Sequence, residues 1–282
     1  MLVDCHTHAY EYPAHVSDEF LADHRRAWGD STTLLRAKPE DHFSAMRSVD
    51  RVIVLGFQGK RVGHYVPNDF VAAYARKHTE KVIGFASVDP NDPSAEKELR
   101  RCIRELGLKG LKLGPIYQHF DPTSRKAMRI FRLADKLEIP VIIHQGTTFV
   151  RNAPLKYANP ILLEDVALRF PNLKMVIAHL GHPWEDETAV LVRKQPNIFT
   201  DISALHTRPF RLHSKLMTFQ EYGVINKIIF GSDYPSFTPD ETLQGIENVN
   251  KFAREHMLPT ISESAIRAII YENYANVLGS VF

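Results

Sequence analysis

A chain of 282 residues, 44% apolar and 24% charged, can bury a sizeable core, and its length suits one α/β barrel domain. Basic and acidic side chains, 35 against 33, leave a formal net charge of +2 with both signs interspersed, so nothing marks a nucleic-acid or membrane partner and a small molecule is the expected ligand. Only Cys5 and Cys102 are present and the start carries no long apolar stretch, a pattern expected of a cytoplasmic protein.

Eight short runs rich in Val, Ile, Leu and Phe recur along the chain, too brief for buried helices and bounded by Gly, Pro or charges, and they read as buried strands. They are "MLVDC" at 1–5, "RVIVLGF" at 51–57, "KVIGFASV" at 81–88, "LKGLKLG" at 108–114, "PVIIH" at 140–144, "LKMVIAH" at 173–179, "NIFTDIS" at 197–203 and "KIIFGSD" at 227–233. Residues 9–49 form a long first connection, expected to be a partly helical insertion over the barrel mouth. Between later runs, helix starts announce themselves as Asp92-Pro93, Asp121-Pro122, Asn159-Pro160 and Thr238-Pro239, each followed by apolar residues at helical spacing. The last helix, around "SESAIRAIIYENYANVLG", is expected to pack the last strand. Strand then helix, eight times, predicts a (β/α)8 TIM barrel filling 1–282 as one domain. A doubly wound open sheet is the alternative, but no G-x-G-x-x-G or P-loop follows any strand.

Polar residues close several of these apolar strands. His6 and His8 share a strand face, His144 ends "PVIIH", His179 ends "MVIAH" and Asp233 ends "IIFGSD". In a barrel these ends converge on the C-terminal face, where catalytic residues sit. Four imidazoles and a carboxylate around one axis suit a divalent metal with mixed N and O ligands: Zn2+ first, with Mn2+, Fe2+ or Co2+ fitting the same donors.

His-x-His on strand 1, His on strands 5 and 6 and Asp on strand 8 resemble the amidohydrolase superfamily. The segments "DCHTH", "GLKGLKLGPIYQ", "IPVIIHQG", "VIAHLGHPW" and "IIFGSDYP" are similar to its amidohydrolase-2 branch, which holds aminocarboxymuconate-semialdehyde and γ-resorcylate decarboxylases as well as pyrone-dicarboxylate and sulfomuconolactone hydrolases. The resemblance implies one metal held by His6, His8, His144 and Asp233, with His179 as acid/base and Asp233 both ligand and proton shuttle. A minor reading takes Lys112 as a carbamylated bridge between two metals, with His179 then a ligand of the second; its alternative roles are an anion contact or an ion-pair partner.

The loops after the strands are expected to hold the substrate, with Tyr117, Gln118, Arg151 and Trp184 as contacts and His119, Thr147, His182, Arg61, Arg208 and Arg211 nearby. Arginine reads carboxylates bidentately, so an anionic substrate is expected. Asp201 is expected either to orient a ligand histidine or to close a hydrogen bond within the barrel. His15, His24, His64, His78 and His256 are assigned no role. Hydrolysis of a small carboxylated lactone, ester or amide is the first expected activity, and non-oxidative decarboxylation of a small aromatic or muconate-type acid at the same site is the second. A non-catalytic binding barrel comes third. Barrels of this branch are often homodimers.

Overall fold

The structure is a computed structural model that describes residues 1–30 and 32–281. Eight strands pair in the order in which they occur: β1 (Val3–Thr7), β2 (Arg51–Leu55), β3 (Val82–Ser87), β4 (Leu111–Leu113), β5 (Val141–Ile143), β6 (Met175–Ile177), β7 (Ile198–Asp201) and β8 (Ile228–Ile229). Every successive pairing is parallel. The ring closes because the chain beyond β8 bonds back to β1: Cys5 N donates to Phe230 O at 3.1 Å, Asp233 N to His6 O at 2.8 Å and His8 N to Tyr234 O at 2.8 Å. Helices connect the strands, and the result is the (β/α)8 TIM barrel expected from the sequence.

The period of two sorts the strand residues into two apolar clusters. Ile53, Leu55, Phe85, Ile142, Val176, Phe199 and Ile229 fill the barrel, while Val52, Val54, Leu111, Leu113, Val141 and Ile177 pack against the helices. The same alternation turns Lys112, between Leu111 and Leu113, and Asp201, two residues past Phe199, toward the axis. Gly231 lets the chain after β8 approach β1 closely, since a Cβ there would lie 2.9 Å from that of His6.

Helix starts follow the sequence in part. Thr238 forms a full capping box with Glu241 at Pro239–Glu247, and Asn159 accepts from Ile161 N ahead of Pro160–Leu163. The two Asp-Pro pairs act as turns instead. Asp92 and Asp121 accept from the N–H groups of Ser94 and Thr123, each at 2.8 Å, so the helices begin at Ala95 and Arg125, the latter capped by Ser124. The closing helix is split into Glu263–Tyr271 and Tyr274–Leu278, and its second half packs Tyr274, Val277 and Leu278 into the interior cluster.

Residues 9–49 carry helices Asp18–Trp28 and Pro39–Ala45. A short antiparallel hairpin, Phe57–Gly59 with His64–Val66, follows β2 and was not anticipated. It meets the segment before β2 through a Val16–His64 bridge and a bond from Ser17 N to Gly63 O. No helix among the described residues is long and apolar enough to cross a membrane.

Candidate metal centre

His6 lies near the end of β1 at 1% exposure. Its Nδ1–H donates to Asp201 Oδ2 at 2.8 Å, which leaves Nε2 with the lone pair, and Lys112 Nζ donates to that nitrogen at 3.0 Å. Asp201 Oδ1 takes the backbone N–H of His179 at 3.0 Å, that of Ser203 at 3.1 Å, and the Ser203 hydroxyl. Because that hydroxyl is committed to Asp201, its oxygen accepts from His179 Nδ1–H at 2.7 Å, and His179 also keeps Nε2 as its lone-pair nitrogen. One buried carboxylate thus fixes the tautomers of two histidines whose rings stack with centroids 4.8 Å apart. Burial alone would raise the Asp201 pKa, but His6 and these hydrogen bonds hold it well below the usual carboxylate range.

Asp233 Oδ1 stands 3.5 Å from His6 Nε2 and 3.8 Å from His8 Nε2. His144 donates Nε2–H to the Thr147 carbonyl at 2.9 Å, leaving Nδ1 with the lone pair, and its ring lies 5.0 Å from that of His179. Ligand atoms of His6, His179 and Asp233 all fall within 4.8 Å of one another. Burial drives the imidazoles of His6, His8, His144 and His179 toward the neutral form, the form in which histidine binds metal. Two lone-pair nitrogens and a carboxylate oxygen in one buried cluster, flanked by two more histidines, fit a divalent cation. The tightest group contains His179, which the resemblance puts outside the ligand set, with His8 and His144 at its edge.

Lys112 is 1% exposed, and burial lowers its amine to about 8, with Asp201 and Asp233 opposing. Burial raises the Asp233 carboxyl well above its ordinary value, with Lys112 opposing.

The cluster opens into two joined compartments. An inner chamber of about 70 Å³ is bordered by His6, His8, Phe57, His64 and Lys112, and an outer vestibule of about 340 Å³ by Trp28, Thr147, His182, Arg208 and Phe237. Tyr117, His144, Phe149, His179 and Asp233 border both.

Of the loop residues expected to hold the substrate, Tyr117, Thr147, His182 and Arg208 line this cavity, and Gln118, Arg151 and Trp184 do not. Gln118 uses its amide inside the loop, accepting from Gly114 N at 2.9 Å and donating to Val88 O at 3.0 Å. Arg151 is exposed, and Trp184, half-buried at the start of helix Glu185–Lys194, packs against the apolar core. His119 bonds Asn152 O, and Arg61 is exposed. His182 gives Nδ1–H to buried Glu185 at 2.7 Å, and Arg211 grips the same carboxylate through Nε at 2.7 Å.

Two histidines with no role expected from the sequence border the cavity, His24 in the vestibule and His64 in the inner chamber. The i, i+4 pair of His24 and Trp28 on one helix face was the available signal for the first. The second carried none, because its position depends on an unforeseen hairpin.

The chain is similar to known proteins in sequence and in fold. The chain is 22% identical over 224 residues to the 2-amino-3-carboxymuconate-6-semialdehyde decarboxylase of Dictyostelium discoideum, covering 68% of this chain and 62% of that one, so it spans less than two thirds of that relative. It is 23% identical over 229 residues to a gamma-resorcylate decarboxylase of Polaromonas sp. (strain JS666 / ATCC BAA-500), covering 65% and 69%. An uncharacterized TIM-barrel protein of Bordetella bronchiseptica superposes with a TM-score of 0.75 at 19% identity over 99% of both chains. The Amidohydro_2 family model, described as amidohydrolase, matches residues 3–279, and this chain belongs to that family.

Proposed function

We propose that this chain is a metal-dependent decarboxylase that releases CO2 from a small aromatic or muconate-type acid without an oxidant. The observation that carries this reading is that the relatives matched over about two thirds of the chain are decarboxylases. It exchanges the order of the two chemistries expected from sequence, where hydrolysis came first. His6, His8, His144 and Asp233 would hold one divalent cation, zinc or manganese, which when bound polarises the acid and offsets negative charge developing beside it.

In the net reaction the bond to the carboxylate carbon breaks, CO2 leaves, and the electron pair forms a C–H bond with an incoming proton. His179 passes that proton. Its Nδ1 is anchored through Ser203 to Asp201, whose negative charge favours a transient imidazolium against the opposing effect of burial. Tyr117 and Phe149, bordering both compartments, offer flat apolar surface to a ring and help exclude water from it.

The test is CO2 release from hydroxybenzoates and muconate-type acids, with metal content per chain measured by plasma mass spectrometry. About one equivalent of metal and CO2 release are expected, and Asp233→Asn should abolish turnover while leaving the circular-dichroism melt in place. About two equivalents would assign Lys112 to a bridge. Ring opening of a lactone without CO2 would assign hydrolysis, and a chain that binds neither metal nor acid would be a non-catalytic barrel.

A further inference from the structure

The inner chamber holds a histidine that the proposed chemistry leaves idle. His64 begins the second strand of the hairpin and is 5% exposed. Its ring stacks on Phe57 with centroids 4.5 Å apart and meets Tyr10 and Phe20 edge-on at 4.9 and 5.0 Å. Across the chamber, its centroid lies 6.4 Å from that of His8.

Nε2 of His64 is buried without a hydrogen-bond partner. His42 shows the contrast, a core histidine whose Nδ1 meets the Tyr74 hydroxyl at 2.8 Å and whose Nε2 meets the Thr7 hydroxyl at 2.9 Å. Other buried unpartnered atoms have local reasons. Gln145 Oε1 and Asn197 Oδ1 belong to amides whose NH2 groups are held by backbone carbonyls, Asp4 Oδ2 to a carboxyl whose Oδ1 accepts from His6 N and Ser232 N, and His8 Nδ1 to a ring whose Nε2 faces Asp233 at 3.8 Å. An orphaned polar atom destabilises a core, and an apolar side chain would fill this aromatic cage without that penalty. Such local violations are expected where a ligand completes the bonding.

Burial lowers the His64 pKa to about 3 and keeps the ring neutral. The unpartnered Nε2 can make one hydrogen bond, as donor or as acceptor according to the tautomer, which matches an uncharged group able to take either role. The chamber, at about 70 Å³, has room for a substituent of a larger ligand seated in the vestibule.

We propose that His64 is a specificity residue that hydrogen-bonds an uncharged polar substituent of the substrate, a hydroxyl or an amine, inside the aromatic cage of Phe57, Tyr10 and Phe20. The inference rests on reading the cavity as the site of a small carboxylic acid.

The test compares metal-loaded wild type, His64→Leu and His64→Gln by calorimetry with 2- and 3-hydroxybenzoate and their fluoro counterparts, beside thermal melts at pH 7. Wild type should prefer one hydroxybenzoate over its fluoro counterpart by roughly tenfold, the scale of one hydrogen bond. His64→Leu should erase the preference and melt no lower than wild type, while His64→Gln should keep most of it. An unchanged preference in His64→Leu, no preference in wild type, or a lower melt or failure to fold in His64→Leu would each overturn the proposal. CO2 release reads the parent function separately: its absence with the preference intact removes the decarboxylase and leaves the role of His64 standing.

Discussion

Asp201 accepts from His6 directly and from His179 both at the backbone and through Ser203, so it decides which imidazole nitrogens present lone pairs to the cavity. Asp201→Asn keeps one oxygen for the backbone N–H groups but removes the charge and sets an NH2 against His6 Nδ1–H. Loss of about 10- to 100-fold in metal affinity is expected, the usual consequence of removing a partner behind a metal-binding histidine. Equilibrium dialysis against zinc or manganese measures it, and an unchanged affinity would show that Asp201 only closes the barrel. Backbone strain gathers at the same level: His179, Leu180, Ala204 and Asp233 all have φ between 51° and 66°, a region that costs non-glycine residues about 1–3 kcal/mol each. The strand-end positions of His6, His144, His179 and Asp233 were legible because each polar residue closes an apolar run. The left-handed turns that aim two of them were not, since nothing in "AHLG" or "GSDYP" specifies φ > 0.

At the scale of elements, the strands were legible because short, nearly continuous apolar runs bounded by Gly, Pro or charges suit strands buried on both faces, as a parallel barrel requires. Helix starts were less so. In Asp92-Pro93 and Asp121-Pro122 the carboxylate captures an N–H two residues on, a local bond that competes with capping and delays the helix. Contacts between elements were invisible in sequence, and Glu185 is the clearest. At the start of helix Glu185–Lys194 it binds His182 and reaches Arg211 in helix Pro209–Glu221. Burial would raise its pKa, yet His182 and Arg211 bring it down to about 2 from the ordinary 4.5. A depressed carboxylate pKa contributes stability that is present above the unfolded value and lost as pH falls through the folded one. The Glu185 clamp therefore contributes about 3 kcal/mol at pH 7, fading between pH 4.5 and 2. Urea unfolding should show Glu185→Gln less stable than wild type by that order at pH 7 and close to it near pH 2; a gap independent of pH would mean that packing, not charge, is what the clamp supplies.

For the whole molecule, the same sign rule makes the barrel sensitive to mild acid through histidines buried neutral. His42 and His64 each have pKa values lowered to about 3, chiefly by burial. Above pH 6.5 both are neutral folded or unfolded and the shift has no effect. Below it the unfolded chain gains protons that the folded chain refuses, so each histidine removes about 2 kcal/mol of stability by pH 5. Asp4 opposes them, because burial raises its carboxyl to about 7 and the folded state then binds the extra proton across the same range. The wild-type curve mixes these groups, and the difference between variants separates them. His42→Leu gives up two hydrogen bonds and should be less stable than wild type at pH 7, by about 1–3 kcal/mol, with that deficit shrinking or reversing at pH 5. His64→Leu gives up none, so it should match or exceed wild type at pH 7 and pull further ahead at pH 5. Urea unfolding of chelator-treated protein at the two pH values reads both. Parallel curves for the three proteins would mean that neither imidazole is held neutral by the fold.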